Sequence, residues 1–486
     1  MLTAILLRLF NQSPLWQAAR QIGLLRLPPA DWTTNPLTSD TLRLNGRWIR
    51  DAQGRALLLR GFNLSANAKV PPYRPIPDED HLDRLAEWGM NCIRLVLVWE
   101  AIEPQRGHYD EAYLAAMVKL AQAAWQRGIY TIVDVHQDLF SRALGGSGAP
   151  TWTHPPIRRP GLLPSRFWFS NYMLNPDVAW AFERFWNNAD FIRDSFIRMW
   201  REVAQRFATV EGVLGYDVLN EPATRFFPDM LSGHFDRDTL PVFYQQVIAA
   251  IRTVDPQRLI LVEPSPLASL GFPSLLSHRH EASALHEIAG LIYAPHMYDG
   301  LTVASGRFSG DSAIMRHTLQ LHLNTAARLQ AGLIIGEFGV LNHLHGAHDL
   351  YATKLNLFDR YMLNWIAWNY MVGEDYWNDE DISVIYLDGR ERAQVDVLVR
   401  PYPCATAGTP LGLSFDYPSR SFVFAYTPDP HIAAPTELFL PLRHYPRGFD
   451  LRLSPGLTAT YDEQQHLLLL RHDPAVTYAA CALYRK

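Results

Sequence analysis

Two glutamates stand where apolar runs end, Glu221 in DVLNEP and Glu337 in IIGEFG. An ionised carboxylate at the tip of a buried strand is costly without partners. Two carboxyl groups on one cavity are what hydrolysis of a glycosidic bond with retention requires. One, protonated, helps the leaving oxygen depart, and the other, ionised, attacks the anomeric carbon. In that scheme Glu221 is the acid/base and Glu337 the nucleophile. The competing structural reading pairs each glutamate with a basic neighbour in a salt bridge.

Other polar residues sit in or after apolar runs in the same way. Arg94, within NCIRLVLV, can hold the Glu337 carboxylate ionised and oriented, although an interior arginine paired for structural reasons would look the same. DVHQD supplies His136 and Asp138, and PHMYD supplies His296 and Tyr298. A phenol such as Tyr298 beside the nucleophile would fix its orientation, while His136, Asp138 and Asn220 could bond sugar hydroxyls. Two histidines and a carboxylate are also a metal-ligand set. No close histidine pair appears, and sugar hydrolysis needs no metal, so neither metal nor other cofactor is expected. Trp368, in WIAWNY, offers an apolar platform for the C–H face of a sugar, or else packs as core.

Eight short apolar runs separated by amphipathic stretches could place these residues on one mouth, because that alternation implies parallel strands with crossover helices. The runs are Leu57–Leu64, Asn91–Val98, Ile129–Val135, Gly212–Leu219, Arg258–Val262, Leu291–Pro295, Leu333–Phe338 and Trp365–Tyr370, with Glu111–Gln126 and Asp190–Phe207 among the helical stretches. They predict a (β/α)₈ barrel. Three βα units of roughly forty residues each account for the interval from Glu221 to Glu337 and bring both to the face where barrel enzymes carry their sites. Two connections on that face, Gln137–Pro176 and Ala223–Thr239, exceed the roughly two to six residues usual for a βα loop. They are rich in apolar residues, including Phe140, Trp152, Phe167, Trp168, Phe169, Tyr172, Phe226, Phe227 and Met230. Past Ala393 the pattern turns to short alternating runs punctuated by Pro and Gly, which predicts an appended antiparallel β-sandwich. The expected organisation is an N-terminal helical arm over 1–44, a barrel over 45–393 and the sandwich over 394–486.

Composition agrees with a folded chain: 48% of the 486 residues are apolar and 19% charged, enough to fill two cores. A net charge of −5 leaves no electrostatic footprint for nucleic acid. Cys92, Cys404 and Cys481 are too few and too scattered for a disulfide framework, with a Cys404–Cys481 bridge the only conceivable one. The N-terminal stretch is interrupted by Arg8 and makes a poor signal peptide or membrane span. Ile5, Leu6, Leu9, Phe10 and Trp16 lie near helical spacing, which suits an amphipathic helix docking on the barrel or on lipid. A cytoplasmic or membrane-peripheral location is therefore expected.

Together, Asn-Glu-Pro after the fourth run, Gly-Glu-Phe-Gly at the seventh, the arginine on the second and the histidine on the third resemble glycoside hydrolase family 5, in the clan of retaining barrel enzymes. GFNLSANAKVPPY, DVHQD followed by GSGAPTW, and VRPYP with AGTP are similar to its endoglycoceramidase and glycosylceramidase-related branch. The resemblance covers roughly residues 44–486 and implies Glu221 as acid/base and Glu337 as nucleophile. Through it Lys69, His136, Asp138, Asn220 and Trp368 match positions that bind the sugar next to the scissile bond. Without it, Lys69 would read as a solvated surface charge. The implied substrate is a glycolipid, with cleavage between glycan and lipid. A steryl-β-glucosidase, a glucosylceramidase, a cellulase-like β-glucosidase and a silent glycolipid-binding protein are the alternatives. A lipid aglycone would need an apolar trench beside Glu221, for which Phe226, Phe227 and Met230, with Trp168 or Phe169, are the expected lining, and such apolar loops could also meet a membrane surface.

Overall fold

The computed structural model describes residues 32–39, 42–65, 67–154, 169–224, 227–277, 284–310, 312–373 and 381–486. Eight parallel strands close into a barrel: β1 (Arg60–Leu64), β2 (Cys92–Val98), β3 (Tyr130–His136), β4 (Val213–Asp217), β5 (Leu259–Val262), β6 (Leu291–Tyr293), β7 (Gly332–Ile335) and β8 (Asn364–Tyr370), with β8 returning to pair with β1. Each falls on one of the eight predicted runs. Helices that pack around the barrel include α1 (Asp80–Glu87), α2 (Glu111–Trp125), α3 (Ile192–Phe207), α4 (Leu240–Arg252), α5 (Ala313–Leu329) and α6 (Ala347–Tyr361). α3 shows why they dock, since Phe196, Met199, Trp200, Val203 and Phe207 form one buried stripe at three- and four-residue spacing. The β5–β6 crossover differs. Among the described residues it is made of 3₁₀ turns, Pro266–Leu270 and Leu285–Glu287, as Pro264, Pro266 and Pro273 remove the amide donors a helix would use.

Alternation along the strands sorts side chains into two environments. On β2, Ile93, Leu95 and Leu97 point outward into the main core with the helices. Cys92 points inward and, with Ile132, Leu214, Ile292, Ile334 and Ile366, joins Leu42, Leu44, Ile49 and Leu57 in a dry plug at the N-terminal end of the barrel. Strands pack closely there: a methyl group on Gly61 would fall 1.6 Å from the Cys92 carbonyl oxygen. The plug makes the lower barrel solid and leaves the C-terminal end for polar residues.

The residues around the plug come from an antiparallel sheet that begins before the barrel and resumes after it. Strands Leu37–Thr38, Leu42–Asn45, Trp48–Asp51 and Ala56–Leu57 continue into Tyr402–Thr406, Thr436–Phe439, Leu467–His472 and Leu457–Asp462. A second antiparallel sheet, ordered Gly408–Asp416, Ser421–Pro428, Ala479–Arg485 and Phe449–Leu453, completes the sandwich. Leu37–Thr38 and Leu42–Asn45 are therefore strands where a helical arm over 1–44 was expected. The amphipathic stretch proposed from Ile5 to Trp16 lies outside the described residues. One helical turn, Val395–Leu398, precedes the sandwich. Asp359, buried on α6, receives both Arg60 from β1 at 2.6 Å and Arg400 at 3.1 Å, which ties barrel to sandwich.

The two long connections are partly helical. The first carries Arg142–Leu144, Thr151–Thr153, Asn171–Leu174 and Pro176–Trp186, the second Phe227–Ser232 and His234–Asp238. Phe140 packs edge-on against Phe182 and Phe185, and Trp152 against Trp99, so these aromatics stabilise the connections. All three cysteines are unpaired thiols, and the conceivable Cys404–Cys481 bridge is absent.

Candidate active site

The catalytic candidates converge above the apolar plug, on Arg94. Its guanidinium is fully buried at mid-barrel. Nη1 donates to Glu337 Oε1 at 2.8 Å and to Asn63 Oδ1 at 3.0 Å, and Nε donates to Asp217 Oδ2 at 2.8 Å. Nη2 donates to Glu263 Oε1 at 2.8 Å and Asn220 Oδ1 at 3.1 Å, and lies 2.9 Å from Asp134 Oδ1. Burial opposes its charge, but Asp134, Asp217, Glu263 and Glu337 outweigh that and lift its pKa well above the ordinary value. Arg94 thus reaches Glu337 and three further acids, Asp134, Asp217 and Glu263.

Glu337 comes just after β7, where the chain continues as a one-residue bridge beside His296. Its second oxygen accepts the Tyr298 hydroxyl at 3.0 Å. Fixed donors on both oxygens suit an ionised, oriented nucleophile. Behind Tyr298, the ammonium of Lys354 on α6 is buried and donates to the Met297 carbonyl at 2.9 Å. Burial lowers its pKa to about 8, with Asp299 opposing.

Glu221 is positioned differently. β4 ends at Asp217, and Pro222 prevents the ladder from continuing past Glu221. Glu221 adopts a left-handed backbone, φ 41°, which side chains other than glycine seldom do. Surrounding hydrogen bonds hold it there. Gln137 Nε2 donates to the carbonyls of Asn220 and Glu221 at 2.9 and 2.8 Å, Asn220 Nδ2 donates to the Gln137 carbonyl at 3.1 Å, and the Glu221 amide donates to Glu263 Oε2 at 2.8 Å. The Glu221 carboxyl meets His296 Nδ1 at 2.9 Å. Its pKa is raised by burial, with His296 opposing and the charges of Glu337 and Asp138 adding to the rise, the direction a general acid needs.

His296 Nδ1 also lies 3.4 Å from Glu337 Oε2. Two oxygens that reach one nitrogen at 2.9 and 3.4 Å can be no farther apart than those contacts laid end to end. One oxygen of each carboxyl group thus shares a single imidazole nitrogen, a close pairing of the kind that direct attack by a carboxylate uses.

A second cluster flanks the carboxylates. Lys69, which the sequence alone would leave at the surface, is 1% exposed and donates to Asp138 Oδ2 at 2.7 Å. Its ammonium stands 4.2 Å from the centre of the Trp368 ring, a cation–π geometry. His136 stacks on the same indole, with centroids 5.4 Å apart and planes 12° apart, and its Nδ1 meets Asp134 Oδ2 at 2.8 Å. Asp138 also accepts the Ser147 hydroxyl at 3.1 Å. Burial would raise the Asp138 pKa, but Lys69 and His136 overcome it and hold this carboxyl well below the usual range. A fixed anion, a fixed cation and an indole side by side can bond sugar hydroxyls while an apolar face covers ring C–H groups.

The fold thus gathers Lys69, Arg94, His136, Asp138, Asn220, Glu221, His296, Tyr298, Glu337 and Trp368. The expected trench lining fares otherwise. Met230 is 2% exposed in the main core, so it packs inward and does not line an open groove. Phe226 and Trp168 lie outside the described residues, as does most of the 158–169 loop. Missing from the sequence reading were Asp134, Asp217, Glu263 and Lys354. Glu263 carried a signal, because LILVEP repeats at β5 the Glu-Pro strand ending of β4. Among the described residues, no group of three or more His, Cys, Asp or Glu side chains is arranged to hold a metal ion.

Comparison with known proteins agrees with this geometry. Residues 50–373 match the cellulase model of glycosyl hydrolase family 5, and residues 400–478 match the glycoside hydrolase family 5 C-terminal domain. The chain is 30% identical over 435 residues to endoglycoceramidase I of Rhodococcus hoagii, covering 87% of this chain and 83% of that protein. It is 23% identical to a glucosylceramidase of Rhizopus delemar, covering 82% and 90%. The structure of endo-glycoceramidase II from Rhodococcus sp. as its lactosyl-enzyme intermediate superposes with a TM-score of 0.76 at 28% identity, over 90% of this chain and 99% of that one. With the family models together spanning barrel and sandwich, and a buried carboxylate pair at the barrel mouth, the chain belongs to glycosyl hydrolase family 5.

Proposed function

We propose that this retaining β-glycosidase cleaves the bond between a glycan and a lipid aglycone, with Glu337 as nucleophile and Glu221 as acid/base. The observation that carries the pairing is His296 Nδ1, which reaches both carboxyl groups. In the first step Glu337 attacks the anomeric carbon. The bond to the aglycone oxygen breaks, and that oxygen takes the Glu221 proton and leaves as an alcohol. In the second step Glu221 takes a proton from water, the hydroxyl forms a bond to the anomeric carbon, and Glu337 leaves as carboxylate. Two inversions return the β configuration. Lys69, His136, Asp138, Asn220 and Trp368 bind the sugar at the scissile bond, Tyr298 and Arg94 orient the nucleophile, and His296 orients both acids.

The lipid part of the reading is supported by the similarity to endoglycoceramidases, stronger than that to the glucosylceramidase. The chain works at a lipid surface in this reading. No described helix is long and apolar enough to cross a membrane, whereas Leu174, Trp180 and Phe191 are exposed on the β3–β4 connection, where an aromatic can enter the interfacial zone. The deciding experiment incubates the chain with glucosylceramide, lactosylceramide, a ganglioside, a steryl glucoside and cellooligosaccharides, identifies both products, and follows the first-formed anomer by proton NMR. Release of an intact oligosaccharide in the β form is expected. Cellooligosaccharides as the best substrates would replace the lipid reading with a β-glucanase one, and an α product would overturn the carboxylate assignment.

A further inference from the structure

One buried carboxyl group outside the Lys69–Asp138 cluster has contacts that lead repeatedly to Glu221. Glu263 follows β5 directly and is 1% exposed. Its Oε2 accepts the Glu221 backbone amide at 2.8 Å. Its Oε1 accepts Arg94 Nη2 at 2.8 Å and lies 3.3 Å from His296 Nε2, an ion-pair contact off the hydrogen-bond axis. The other nitrogen of that imidazole meets the Glu221 carboxyl. Glu263 therefore touches Glu221 at the backbone and, through one ring, at the reacting end. Its own main chain is pinned by Tyr244, whose hydroxyl donates to the Glu263 carbonyl at 2.7 Å and accepts its amide at 3.2 Å.

Simple neutralisation of Arg94 does not account for this residue. Asp134, Asp217 and Glu337 already surround the guanidinium, and a further acid in the same dry space is unfavourable. An apolar residue after β5 would avoid that cost but leave the Glu221 amide without its acceptor, at the point where the chain turns left-handed.

We propose that Glu263 is a positioning residue for the acid/base, fixing the Glu221 backbone directly and the Glu221 carboxyl through His296, so that one placement serves both proton transfers. The proposal rests on the reading of Glu221 as acid/base. The groups facing Glu263 are Arg94, Asp217, Glu221, His296 and the phenols of Tyr244 and Tyr293. Burial lifts the Glu263 pKa to about 8, with Asp217 adding to the rise and His296 and Arg94 opposing. Burial opposes the His296 charge, but Glu263 and Glu337 outweigh it and raise that pKa too. Both shifts favour a proton on the Glu263–His296 pair, beside the general acid.

The test uses the full chain and dinitrophenyl, nitrophenyl and methyl β-glycosides of whichever of glucose, cellobiose or lactose the wild type accepts. Glu263→Gln keeps the volume and an acceptor oxygen but removes the acid. For the methyl glycoside, whose leaving oxygen needs the proton, kcat/KM is expected to fall roughly 10²-fold, the effect of a misplaced catalytic group. For the dinitrophenyl glycoside, which needs little acid help, the expected fall is under about threefold. Azide should speed its turnover and yield the β-glycosyl azide. Glu263→Asp, which keeps the acid but withdraws it by one methylene, should fall between wild type and Gln in the same series, and it serves alone if circular dichroism shows the Gln variant unfolded. An equal loss on all three aglycones in the folded variant, without azide rescue, overturns the proposal. Glu221→Ala is measured alongside. Azide rescue there with an even loss at Glu263 sinks only the positioning role, whereas no rescue at Glu221 sinks the acid/base reading itself.

Discussion

Removing the Tyr298 hydroxyl perturbs a single contact of the proposed nucleophile, Glu337, and leaves the ring in place. The hydroxyl donates to Glu337 Oε2 at 3.0 Å in a partly buried setting. A hydrogen bond to a charged group contributes about 1.5–3 kcal/mol net, and partial exposure places this one near the lower figure. That corresponds to roughly tenfold in rate. The direction follows from where charge resides. In the proposed mechanism Glu337 is an anion before attack and after release, but an uncharged ester in the glycosyl-enzyme, so the phenol favours return of the carboxylate. Tyr298→Phe should therefore slow the second step more than the first. With a dinitrophenyl glycoside, kcat and KM should fall together, roughly tenfold, while kcat/KM changes by less than about threefold. Stopped-flow should show a burst of dinitrophenol, and mass spectrometry of the quenched enzyme a glycosylated Glu337 peptide. A raised KM at unchanged kcat, with no accumulated intermediate, would refute the reasoning.

Lys69→Met leaves Asp138 buried without its cation and should cost about 3–5 kcal/mol of stability at neutral pH. Because the folded Asp138 pKa lies below its unfolded value, the stabilisation is present above about pH 4 and is lost as pH falls toward the folded value, so denaturant curves of wild type and variant should converge in acid. Burial raises the Glu221 pKa, so kcat/KM for a methyl glycoside should fall on the alkaline side as Glu221 loses its proton. That limb should vanish for a dinitrophenyl glycoside with Glu221→Ala, and its persistence there would assign it to another group. Gly61→Ala would force a methyl group onto the Cys92 carbonyl and should give insoluble protein, with normal melting and activity the contrary outcome.

The sequence by itself determined the barrel and singled out two acids for its mouth, for one physical reason. Parallel strands buried on both faces are written as continuous apolar runs, and a charged residue at the end of such a run is conspicuous. Glu221 and Glu337 followed from that, as did His136, His296 and Trp368 at the same mouth. The sandwich was legible from its alternating runs, but its union with strands from Leu37 to Leu57 was not, because antiparallel pairing joins segments without leaving a mark of partner choice in either. Lys69 shows the same limit. A lysine in a loop is by default a solvated charge, and only the packing that sets its ammonium between Asp138 and the Trp368 ring takes it out of solvent. The buried acids around Arg94 were decided by the tertiary structure too. Asp134 and Asp217 lie within strands whose neighbours are apolar, and a single sequence cannot say that one guanidinium will meet both at mid-barrel. Closing the sheet brings those side chains to one point, and burial there raises the pKa of Glu221 beside Glu337.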